Sequence, residues 1–265
     1  MDNNVLIAFL LTLFAGLATG IGSLIALISS STNRKFLSFS LGLSAGVMIY
    51  VSFVEILSTS RDSFSLVSTG KMSEMYTALF FFVGIGFIAL IDKLVPSKEN
   101  PHEIRSVENK NVHPPKSKLM RMGLLTALAI GIHNFPEGLA TFTAALDDAT
   151  LGVAIAVAIA IHNIPEGIAV SVPIYQATGN RKKAFYLSFL SGLAEPVGAL
   201  IGYLILMPFI SPGVLGAVFA IVAGIMVFIS LDELLPAARE WGEHHISIYG
   251  VISGMAIMAL SLILL

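Results

Sequence analysis

Two hexapeptides hold most of the chemistry available to this chain: His133-Asn134-Phe135-Pro136-Glu137-Gly138 and His162-Asn163-Ile164-Pro165-Glu166-Gly167. On a helix, His133 and Glu137 stand four apart and share a face, with Asn134 one position round. His162, Glu166 and Asn163 repeat that arrangement. Pro136 and Pro165 lack an N–H, and their rings press on the carbonyl four residues earlier. Each is expected to free that carbonyl, of Ile132 and Ile161, and to kink its helix, while Gly138 and Gly167 leave room for a neighbour. Two imidazoles, two carboxylates and two amides converge if the segments pack symmetrically. Such nitrogen and oxygen donors suit Zn²⁺, Fe²⁺, Mn²⁺ or Co²⁺, and the lack of any thiolate argues against a Cu(I) site.

A third carboxylate joins them through Glu195-Pro196, again in the middle of an apolar run. Three carboxylates at one depth repel each other in a low dielectric, so they need a divalent cation or some must hold protons. Pairing of each Glu with a helical neighbour is the plainer alternative. No Lys or Arg lies near the middle of any apolar run to supply a countercharge. Glu55, Asp232 and Glu233 lie toward the ends of such runs, as candidate ligands on the way in or out. His244 and His245, with Glu240 and Glu243, could form an acceptor site on one membrane face. His102 and His113 read as solvated loop residues, and Asp147 and Asp148 as a turn.

The elements that must hold these groups are membrane helices. Hydrophobic residues make up 55% of the 265-residue chain and charged residues only 12%, where a soluble domain carries about 25% charged residues. With no cysteine, disulfides and thiol redox chemistry are excluded. Apolar runs near the ~20 residues a span requires fall at about 4–29, 36–58, 74–95, 121–146, 150–176, 183–207, 212–236 and 246–265. The first lacks a basic leader and is too long for a signal peptide, so it reads as a retained span. Only residues 96–120 make a long connection, polar and proline-broken, expected to be disordered. All Lys and Arg except Arg61 and Lys71 fall in the loops after spans 1, 3, 5 and 7 or at their edges. That bias places those loops in the cytoplasm and both termini outside.

The chain also repeats itself. Ala45 to Leu57 matches Ala223 to Leu235 without a gap, and Gly16 to Ile25 echoes Gly192 to Ile201, with Thr19 at the position of Glu195. Spans 1 and 2 therefore pair with 6 and 7, span 3 is left to pair with 8, and spans 4 and 5 share the hexapeptide. The matched spans run in opposite directions. The expected fold is an all-α integral membrane protein, eight helices in a 3+2+3 inverted repeat, forming one domain over 1–265. Transporters are often built this way, with the substrate site at the repeat interface.

The doubled His-Asn-x-Pro-Glu-Gly motif, Glu195 and the Asp232-Glu233-Leu234-Leu235-Pro236 end of span 7 resemble the ZIP (Zrt/Irt-like) family of divalent metal transporters, and within it the bacterial ZupT type. The resemblance covers essentially the whole chain. It implies eight helices, external termini, and metal moving into the cytoplasm through a two-metal site. Carried over, His133, Glu137, His162 and Glu166 would form one position, and Asn134, Glu137, Asn163, Glu166 and Glu195 the other. The symmetric motif resembles broad-range members that accept zinc and iron(II), with manganese, cobalt and cadmium as further substrates. Many relatives carry a histidine-rich loop after span 3; here only His102 and His113 stand there.

The expected function is metal uptake across the cell (inner or plasma) membrane, with no cofactor and no enzymatic activity. A metal-selective channel with the same site is the alternative. A membrane di-metal enzyme fits poorly, because a di-iron bundle uses Glu-x-x-His and a zinc protease His-Glu-x-x-His. Divalent metals and the bilayer are the expected partners, with no nucleic acid, and the assembly could be a homodimer.

Overall fold

The computed structural model describes residues 3–28, 34–94, 116–147, 149–206, 209, 211–241 and 244–264. Among them there is no strand, and the helices fall into eight consecutive rods. We label as α1 Asn3–Ile28. The rod α2 runs Arg34–Val51, passes through a π turn at Ser52–Ile56 and continues as Leu57–Ser65. Then come α3 (Lys71–Leu94), α4 (Lys116–Asp147) and α5 (Ala149–Thr178). The rod α6 comprises Arg181–Gly192, Ala194–Ile201 and a π turn at Gly202–Leu206. The rod α7 comprises Pro212–Ile229, a π turn at Ser230–Leu234 and Leu235–Trp241, and α8 is His244–Leu264.

Seven of these rods are long and apolar enough to cross a membrane; α4 is the exception. Its hexapeptide and the hydroxyls of Thr126, Thr141 and Thr143 dilute its apolar content. Of the expected loop 96–120, the part up to 115 lies outside the described residues, and 116–120 is helical and opens α4.

Local chemistry sets the helix ends. Gly179 stops α5 with φ +66°, a left-handed conformation open to glycine at no steric cost. Its N–H returns to the Tyr175 carbonyl at 2.7 Å. Asn180 then caps α6, its side chain accepting the Lys183 N–H at 3.0 Å. Ser211 caps α7 with Pro212 in the first turn, where a missing N–H costs nothing. The irregularity of α6 at Leu193 precedes Pro196, which cannot donate to the Gly192 carbonyl.

Helix contacts come in matched pairs. A Cβ at Gly22 of α1 would collide with the Ile164 carbonyl of α5, and one at Gly198 of α6 with the Phe135 carbonyl of α4. Gly167 meets the Thr19 carbonyl as Gly138 meets that of Glu195. Gly46 of α2 lies against Val251 of α8, and Gly224 of α7 against Phe81 of α3. Gly254 of α8 meets Leu43, and Gly84 of α3 meets Ile221. Small residues permit such close backbone approach in lipid, where packing rather than hydrophobicity drives association. Gly16 and Gly192, counterparts in the repeat, touch each other: a Cβ on Gly16 would lie 2.6 Å from the Gly192 carbonyl oxygen.

The π turns of α2 and α7 match as well. Ser52 and Ser230 each open one, their hydroxyls donating to the carbonyls of Met48 at 2.6 Å and Met226 at 2.7 Å. At the centre of the bundle, 76% of the apolar stretch of α5 is buried against 11% of that of α3, so α5 is enclosed and α3 peripheral.

Candidate metal centre

The seven residues singled out in the hexapeptides and α6 are all buried, and α4, α5 and α6 bring them together. Spacing alone puts His133 beside Glu137 on one helix face. In the structure that face meets the equivalent face of the other helix, and the pairing is crosswise. His133 Nε2 lies 2.9 Å from Glu166 Oε1, and His162 Nε2 lies 3.0 Å from Glu137 Oε1. Two rods of opposite direction thus exchange the same contact twice.

The asparagines are anchored on backbone. The Asn134 amide donates to the Ser191 carbonyl of α6 at 3.3 Å, and the Asn163 amide to the Ala15 carbonyl of α1 at 2.9 Å. Ser191 and Ala15 are counterparts in the repeat. Asn163 also donates to Glu195 Oε1. Asn134 has no such partner, because Thr19 stands where symmetry would place a carboxylate. Each amide nitrogen is held by these bonds, and each amide oxygen is left without a partner.

Several donor atoms then remain without a hydrogen-bond partner: Oε2 of Glu137, Glu166 and Glu195, Oδ1 of Asn134 and Asn163, and Nδ1 of His133. A buried polar group without a partner costs of the order of several kcal/mol in hydrocarbon. An ionised carboxylate and an amide oxygen only accept, so a proton donor or a cation must satisfy them. Among the described residues no three His, Asp or Glu side chains converge on one point as a finished coordination sphere. The histidines and glutamates are engaged with each other instead.

A cavity of about 610 Å³ leads to this cluster, reaching Glu137 and His162, and its walls include Glu55 and Thr59 of α2, Ile155 of α5, Phe219 of α7 and Met258 of α8. Glu55 is exposed within its π turn, and Glu233, its counterpart in the π turn of α7, is buried. The Thr126 hydroxyl donates to Glu233 Oε2 at 3.1 Å. His245 is exposed and stacks on Tyr249. The side chains of Glu240, Glu243, His244, Asp147 and Asp148, and all of His102 and His113, lie outside the described residues.

Sequence reasoning missed Thr126. The signal was available, because Thr126 precedes His133 by seven residues, two helical turns on the same face. It also missed the backbone anchors for the two asparagines, which no side-chain pattern announces.

A family model described as ZIP zinc transporter matches residues 93–262 of the chain. The chain is 63% identical over 264 residues to the zinc transporter ZupT of Streptococcus mutans serotype c, covering 100% of this chain and 99% of that one. It is 62% identical over 268 residues to ZupT of Lysinibacillus sphaericus, covering 100% of both. With ZupT of Nitratidesulfovibrio vulgaris the identity is 61% over 272 residues, covering 99% of this chain and 98% of that one.

Proposed function

This chain belongs to the ZIP zinc transporter family, and from that premise we propose that it takes up zinc into the cytoplasm through the buried cluster of α4, α5 and α6. It is a multi-pass membrane transporter of divalent metal cations and not an enzyme. One observation carries the finer reading: the crosswise His–Glu pairs and the Asn163–Glu195 bond leave a partnerless carboxylate oxygen on each of Glu137, Glu166 and Glu195, all three side chains buried. A divalent cation would replace these hydrogen bonds with ligation and satisfy the leftover oxygens at once. His133, Glu137, His162 and Glu166 are the proposed ligands of one position. Asn134, Asn163 and Glu195, with the same two glutamates bridging, are those of a second. The two positions are unequal, because Glu195 faces Thr19 across the repeat.

The proposed arrangement is eight spans in a 3+2+3 inverted repeat within one domain, both termini outside the cell membrane. The charge bias of the loops and the matched glycine contacts support it. In this arrangement the cavity beside Glu55 opens outward, and transport runs by alternating access. Iron(II) is the next proposed substrate, then manganese, cobalt and cadmium; a homodimer is the proposed assembly.

Transport in proteoliposomes tests this reading. Zinc influx should saturate, and iron(II) in excess should compete with it. Flux linear in zinc up to millimolar levels would instead identify a channel. Ligating carboxylates and imidazoles must be deprotonated, so protons compete with metal. Zinc affinity should therefore be highest near pH 7.5 and fall on acidification to 5.5. Affinity constant over that range would remove the carboxylate cluster from the transport step.

A further inference from the structure

The two π turns stand beside the hexapeptide helices at matching places, and those places are in opposite condition. Glu55 of α2 and Ile155 of α5 both line the open cavity. The counterpart of Glu55 is Glu233, and the counterpart of Ile155, seven residues before its histidine, is Thr126. These two are buried and joined through the Thr126 hydroxyl at 3.1 Å. Two further positions follow the same rule: Thr59 and Ala140 line the cavity half-buried, whereas their counterparts Ala237 and Ala169 are less than 7% exposed. A second cavity, the mirror of the first, is thus written in the repeat and packed shut.

We propose that Thr126 is a positioning residue whose hydroxyl latches Glu233 and holds that second route closed while the Glu55 side is open. The proposal rests on the alternating-access reading. A carboxylate as buried as that of Glu233 needs a donor to stay there. Without one it is drawn toward water, and the π turn that carries it moves away from α4. Ile155, at the matching position, has no hydroxyl to offer Glu55. The latch therefore exists on one side only, which sets which side rests open. When the Glu233 side opens, the same carboxylate is released into the path of a departing cation.

The chain has no cysteine, so single cysteines report cleanly on each side. Ala140→Cys marks the open cavity and Ala169→Cys its closed mirror, each probed with a membrane-impermeant cationic thiol reagent on vesicles of both orientations. In Thr126→Val, Ala169→Cys should react about tenfold faster from the Glu233 side, the scale set by losing a hydrogen bond to a charged group. Ala140→Cys should slow from the other side. Thr126→Ser keeps the hydroxyl and should restore both rates, and Thr126→Ala, which adds no bulk, should behave as the valine variant. Rates unchanged in both Thr126→Val and Thr126→Ala would overturn the latch. Should Ala169→Cys stay unreactive from either face in every background while zinc uptake continues, the alternating-access reading itself fails.

Discussion

Zinc uptake should fall about a hundredfold or more when Glu166 is replaced by alanine, with the amount of protein in the membrane little changed. Glu166 is wholly buried, and its two oxygens have different tasks. One receives His133, and the other has no partner. Alanine removes a negative charge from an enclosed site that has no Lys or Arg between Arg121 and Arg181 in sequence to compensate. Truncating one partner of a buried, hydrogen-bonded charge pair costs about 2–5 kcal/mol in binding, which converts to a loss of roughly one and a half to three and a half orders of magnitude. Glu137→Ala should do the same, because its contacts are the mirror image. Glu195→Ala should do less: its one bond is to Asn163, and the two His–Glu pairs survive its loss. The measurement is initial ⁶⁵Zn influx normalised to surface protein. Wild-type influx in both Glu137→Ala and Glu166→Ala would sink the proposed site.

The second large effect concerns folding rather than metal. Gly167→Val should lower the unfolding temperature in detergent by about 5–10 °C and reduce the protein recovered from membranes. A Cβ at this position runs into the Thr19 carbonyl, and a backbone atom cannot rotate out of the way. Overpacking a well-filled interior costs about 1–3 kcal/mol, and in a chain of this size each kcal/mol is worth about 2–4 °C. Gly138→Val meets the Glu195 carbonyl and should lose as much. Gly131, with no neighbour near its missing Cβ, should accept alanine at no such loss. Equal unfolding temperatures for Gly167→Val and Gly131→Ala would contradict the close approach of α1 and α5.

Much of this fold is legible in the residues, for physical reasons that differ by element. Apolar runs near the length of a bilayer locate the rods, because lipid leaves the backbone few alternatives to a helix. The hexapeptides stand out because polar groups are rare at such depth. The relation of α3 to α8 is hard to read, since peripheral helices exchange one apolar residue for another freely. Gly84 and Gly254 are matched only by the carbonyls they meet. Crosswise pairing of the motif residues is a tertiary fact: spacing says that His133 and Glu137 share a face, but not which helix that face will meet. Nor does Ser52 to Ile56 carry any local signal for a π turn, for its composition suits an α-helix equally well.

Those π turns have a consequence for how α2 divides its loyalties. In an unbroken α-helix, Ser60 would point within about 40° of Gly46, toward α8, where Gly46 packs on Val251. A π turn lodges one extra residue in the winding and sets everything beyond it back by roughly 100°. Ser60 accordingly turns away from α8 and bonds the Gly216 carbonyl of α7 at 2.7 Å. One rod therefore changes partner halfway along its length without a break in the chain. It behaves as a camshaft, with its two lobes set out of phase and the acid Glu55 at the step between them.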